Sequence, residues 1–150
     1  MSPIGNSTVL HDITVYLKGL LQANVTDPIV GSRSSSSKFI MTSFPMRVAE
    51  YPLITIKTSM DSGVGLGMAS EAMEIRNVIQ ISIWSKSTKQ RDELFDSVLY
   101  ALRSNQLGTG TIAENLYDLT LVNAFDLSED VGQEKIHRKI AEFSYKFIAD

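Results

Sequence analysis

Residues 74–85 constrain the fold more than any other part of this 150-residue chain. Ile75, Ile79, Ile81 and Ile83 fall on one side of an extended backbone, and Arg76, Gln80 and Ser82 on the other. Side chains alternate between faces along a strand, so the segment reads as a long strand buried on one side. Such a strand needs hydrogen-bonded neighbours along its edges and apolar cover over its isoleucines. The rest of the sequence has to supply both.

Two amphipathic helices can provide the cover. Val9, Leu10, Ile13, Tyr16, Leu17, Leu20 and Leu21 recur at steps of three and four across residues 8–22, which is the stripe of one helical face. Ser7 or Thr8 can cap its start, and Asn24 can end it before the Asp27-Pro28 break. Directly after the isoleucine strand, Ser87-Thr88-Lys89-Gln90 has the form of a capping box. Leu94, Phe95, Val98, Leu99 and Leu102 then give the second stripe, with Lys89, Arg91, Asp92, Glu93 and Asp96 facing outward.

Partner strands are predicted at residues 38–44, stopped by Pro45, and at residues 51–58, a β-branched run. Two more follow: residues 116–126, with Leu119, Leu121 and Phe125 in alternation, and residues 136–148. In the last, Ala141, Phe143, Tyr145 and Phe147 face one way and Arg138, Glu142, Ser144 and Lys146 the other. The acidic residues 128–132 read as the turn between them, and residues 105–110 as the end of the second helix. Residues 31–37, with four successive serines from Ser34, and the glycine-rich residues 59–70 read as flexible loops. The order gives one α+β domain over residues 1–150. Its sheet is mixed, mostly antiparallel and about five-stranded, with two main helices on one face and a long β-hairpin arm.

The chemistry-bearing residues do not assemble into a reactive site. There is no cysteine, hence no disulfide, thiolate ligand or cysteine nucleophile. Gly63, Gly65 and Gly67 space as G-x-G-x-G and lead into a strand, whereas a dinucleotide fingerprint opens a helix whose N-terminus holds the phosphate. The serine run lacks a P-loop ending. His11 and His137 have no third histidine for zinc, and no G-x-S-x-G elbow marks a nucleophile. The carboxylate pairs Glu71/Glu74 and Glu129/Asp130 sit in polar surroundings that do not raise a pKa. Lys57, Arg76, Arg138 and Lys139 would form a basic strip only if their strands are neighbours. A net charge of −3 speaks against a dedicated nucleic-acid binder. Residues 1–7 have no signal-peptide pattern, no apolar run approaches membrane-spanning length, and the Asn-x-Ser/Thr sequences at Asn6 and Asn24 are read as accidental. Neither catalytic residues, cofactor nor metal is expected.

The layout resembles the tail-terminator (tail-completion) proteins of tailed bacteriophages. The likeness rests on an N-terminal amphipathic helix, YPLITIKT at residues 51–58, a Gly/Ser-rich hairpin tip, and IRNVIQISIWSKSTKQRDELFDSVLYALRS at residues 75–104. It implies a non-enzymatic virion subunit, made in the host cytoplasm, that forms a ring, commonly a hexamer. Such a ring stops the tail tube at its head-proximal end and offers the joining surface for neck proteins. DNA passes its lumen without specific binding, and no membrane is involved. The hairpin arm then becomes the expected subunit or tube contact, through Lys57, Asp61, Gly63, Gly65, Gly67 and Arg76. A neck or head–tail adaptor ring, and a small ligand-binding or enzymatic α+β domain, stay open as alternatives.

Overall fold

The computed structural model describes residues 9–34, 38–43, 50–65, 73–104, 116–131 and 134–149. The elements are α1 (Val9–Asn24), β1 (Ile40–Met41), β2 (Leu53–Gly65), β3 (Met73–Ser85), α2 (Thr88–Ser104), β4 (Leu116–Val131) and β5 (Glu134–Ala149). The five strands form one sheet in the order β1-β2-β3-β5-β4. β1 runs parallel to β2 and the other neighbours are antiparallel, so the architecture is the expected α+β sheet. The isoleucine strand β3 lies in the middle, paired with β2 on one edge and with β5 on the other.

Both helices cover the isoleucine face. Ile13, Tyr16, Leu17, Leu20 and Leu21 of α1 and Leu94, Val98, Ala101 and Leu102 of α2 pack on Ile54 and Ile56, Ile79 to Ile83, and Phe143 to Phe147. Each such side chain contributes about 1.5–3 kcal/mol on full burial. α1 ends at Asn24 as predicted: its side-chain amide donates to the Leu20 carbonyl at 2.8 Å. At the start of α2 the capping box is modified. The Gln90 N–H donates to Ser87 Oγ as a cap, but the Gln90 side-chain oxygen accepts from Ser85 Oγ at 2.8 Å, and Ser85 Oγ in turn accepts the Ser87 N–H. One polar pair is embedded in this face. Asn77 and Tyr145 lie opposite each other on β3 and β5, both buried. Asn77 Oδ1 and Tyr145 Oη have no hydrogen-bond partner among the described residues, and burial pushes the phenol pKa up.

A smaller cluster of Leu53, Trp84 and Ile136, joined by Met41 and Tyr51, occupies the helix-free face. There the Arg138 guanidinium lies 4.1 Å from the Trp84 ring centroid and donates to Ser82 Oγ at 3.1 Å. Trp84 Nε1 reaches Thr55 Oγ1 at 3.4 Å.

Several predicted boundaries move. The strand expected at residues 38–44 shrinks to β1, tied to β2 where the Ile54 N–H donates to the Phe39 carbonyl at 2.7 Å. Residues 59–65 are not loop: they continue β2 to the pair Gly65↔Met73, because β3 offers a full ladder opposite them. Residues 66–70 lie outside the described residues. The predicted turn at residues 128–132 is strand up to Val131, with β5 resuming at Glu134. Residues 35–37, 44–49 and 105–115, and the predicted caps Ser7 and Thr8, are likewise outside the described residues.

The turn after α1 is held by a buried arginine. Arg33 meets Asp27 twice, Nε–Oδ2 at 2.6 Å and Nη2–Oδ1 at 3.0 Å, with the two side chains only 6% and 12% exposed. Its remaining N–H groups donate to the carbonyls of Glu50 and Pro52, and its guanidinium lies 5.3 Å from the Phe39 centroid. Burial raises the Asp27 pKa. The hydrogen bond and charge of Arg33, with the Ile29 N–H, outweigh that and hold the carboxyl below its ordinary 3.8. A depressed folded-state pKa gives stability that is complete above the unfolded value and fades as pH falls through the folded one. Arg33→Ala therefore strands a buried carboxylate and is expected to cost about 3 kcal/mol in urea unfolding at pH 7. Asp27→Asn is expected to remove part of the stability loss below pH ~4 that the wild type shows. Unchanged unfolding midpoints in both variants would overturn the anchoring role.

Candidate assembly surfaces

The arm residues occupy different places in the sheet. Lys57 is exposed on β2, opposite Gln80. Arg76 is exposed on β3, opposite Ser62 and Lys146, with Glu74 3.3 Å from its Nε. Lys146 also approaches Glu74, at 3.7 Å. By register all four lie on the helix-free face. Asp61 is the extra residue of a bulge between Met60 and Ser62; Gly63 and Gly65 pair with Ile75 and Met73. Gly67 lies outside the described residues. The predicted two-stranded arm is therefore wider than expected. β3 also pairs with β5 as far as Met73↔Ala149, and β4 joins through Leu116↔Phe147. The result is a four-stranded end of the sheet.

No basic strip forms. Lys139 faces the helix side, its ammonium 4.7 Å from the Phe95 centroid, whereas Arg138 covers Trp84 on the opposite face. Glu74 and Glu129 are ion-paired, the latter to Arg138 at 3.8 Å. His11 is exposed on α1, and His137 Nδ1 lies 3.1 Å from Ser128 Oγ on β4. Among the described residues no three His, Cys, Asp or Glu side chains are grouped to hold a metal ion. No helix among them is long and apolar enough to cross a membrane.

The surfaces that stand out are the two edges of the sheet. The helices pack on β1, β2, β3 and β5, and every residue of β4 from 120 to 130 is exposed. Leu121, Val122, Phe125 and Leu127 are 39%, 62%, 40% and 41% exposed. The alternation of Leu121 with Phe125 suggested one shared face, but a bulge between Leu121 and Asn123 breaks it. Leu121 lies opposite Phe143 on the helix side, and Phe125 opposite Ile140 on the other. At the far edge, α1 and β1 bound a groove of about 490 Å³ lined by Leu10, His11, Thr14, Val15, Lys18 and Thr42.

β4 is fastened to α2 by charge. The Arg91 guanidinium, 9% exposed, reaches Asp92 at 3.0 Å and Asp126 of β4 at 3.6 Å. Lys139 reaches the same two carboxylates at 3.6 and 3.3 Å. The hydrogen bond from Arg91 is the main cause that holds the Asp92 pKa low. The outward position expected for Arg91 is not observed: its side chain is buried, with ion pairs to Asp92 and to Asp126 of β4.

No protein-family model matches the sequence, and no curated protein does. Among solved structures, the fold is similar to that of a chain in the virion of a native gene transfer agent particle. The TM-score is 0.50 at 10% sequence identity, over 91% of this chain and 94% of that one. At such identity the likeness is one of fold.

Asp126→Ala removes one acceptor from both Arg91 and Lys139. The expected cost is about 1 kcal/mol, since Asp126 is half-exposed and screened. Amide exchange on β4 should accelerate while β3 stays protected. Unchanged exchange on β4 would show that the cluster does not hold the strand.

Proposed function

We propose that this chain is a structural subunit of a phage-like virion. In this reading it closes into a ring at the head-proximal end of a tail tube, ends tube growth and presents the surface that the neck engages. The observation that carries the proposal is the fold likeness to a chain of a gene transfer agent virion along nearly the full length of both chains. The resemblance to tail-terminator proteins on residues 51–58 and 75–104 narrows it to the end of the tube, with a hexamer as the expected ring.

The surfaces described above suit assembly. A closed ring needs two unlike faces on each subunit, and the two sheet edges differ in shape and side chains. The four-stranded end, with Lys57 and Arg76 exposed on it, is the proposed contact with the tube. A mildly acidic subunit, of net charge −3, lets DNA pass a lumen without holding it. The task is assembly, without catalysis or cofactor.

Light scattering on the purified chain, alone and with polymerising tail-tube subunits, tests this. A ring-sized mass and tubes of limited length are expected. Monomers at every concentration, together with tubes that grow as if the chain were absent, would overturn the proposal. Lys57→Glu combined with Arg76→Glu should weaken tube capping several-fold with circular dichroism unchanged. Undiminished capping would remove the arm from the contact.

A further inference from the structure

Edge strands that stay open in monomers are usually shielded by lysine, proline or short length. β4 has none of these three, its only protective features being acidic residues and two bulges in its pairing with β5. It is 16 residues long and carries Asp118, Asp126, Glu129 and Asp130 with no lysine, arginine or proline. Its apolar side chains Val122, Phe125 and Leu127 are 40–62% exposed. Exposed apolar rows of this kind mark contact surfaces.

The opposite edge has the complementary character. Val15 and Val30 are 54% and 74% exposed there. Among the described residues, the half-buried Lys18 and the exposed Lys38 supply positive charge at this edge. The groove between α1 and β1 is bordered by Leu10, Val15 and Lys18. We propose that β4 of one copy docks on the α1–β1 edge of the next copy, placing Phe125 and Leu127 against the groove and the exposed Asp130 near Lys18 and Lys38. This deepens the ring reading and rests on it.

Charge selects a second copy in this head-to-tail arrangement. Asp126 and Glu129 are engaged within the subunit by Arg91, Lys139 and Arg138, so Asp130 carries the selection. A β4-to-β4 contact sets it against an acidic copy of itself, whereas β4 against α1 sets it against lysine and apolar against apolar. The two surfaces lie at opposite ends of one sheet, about 19 Å apart for four interstrand spacings. One copy can therefore engage two neighbours at once, as a heterologous ring requires.

Complementary variants test the contact. One carries Val122→Glu and Leu127→Glu, the other Val15→Glu and Lys18→Glu; the sites are exposed or half-buried, and circular dichroism checks that both fold. Each alone is expected to be monomeric at concentrations where the wild type oligomerises. Mixed one to one, they are expected to form a dimer, because each retains the surface the other has lost. A mixture that stays monomeric, or a variant that oligomerises like the wild type, would overturn this contact while leaving the ring reading intact. If the β4 variant still oligomerises but no longer caps tubes, β4 faces the tube, and the proposal also fails. A wild type that is monomeric at every concentration, with or without tubes, would overturn the ring reading itself.

Discussion

The structure depends on β3 being paired along both edges. Every residue from Met73 to Ser85 has a partner on β5, and the ladder with β2 runs from Leu53↔Trp84 to Gly65↔Met73. A strand satisfied on both sides has no backbone group left for other partners, so it becomes the fixed axis of the sheet. Its isoleucines then demand cover on one face, which α1 and α2 supply. The same register carries the sheet out to its four-stranded end, so residues 59–65 are ordered by the strand opposite them, whatever their glycine content.

A centre satisfied in this way leaves its unmet needs at the edges. β1 is two residues long and shares its edge with α1, whereas β4 is long and, among the described residues, exposed. The Arg91–Asp92–Asp126–Lys139 cluster fixes β4 to the body of the subunit. A strand fixed in this way has less ordering left to oppose association in the proposed contact.

The sequence declared what periodicity encodes. The isoleucine alternation, the inward row Ala141, Phe143, Tyr145 and Phe147, and the helical stripes apart from Leu10, which is 39% exposed, lie where their spacing put them. Features set by single long-range contacts were not legible. Arg33 stands in a Gly-Ser context that reads as loop, yet it is nearly buried through Asp27 and two carbonyls. Asn77, midway between Ile75 and Ile79, falls on the buried face by the same alternation, but nothing local explains an amide there. The bulge at Val122 hid the exposure of β4, because alternation read across a bulge assigns side chains to the wrong face.

Amide hydrogen exchange, compared between dilute and assembled protein, tests the central claim most directly. The account predicts that β4 and the exposed side of α1 slow together on assembly, while β3, already paired on both edges, does not change. Identical exchange of β4 in the dilute and assembled states would contradict it.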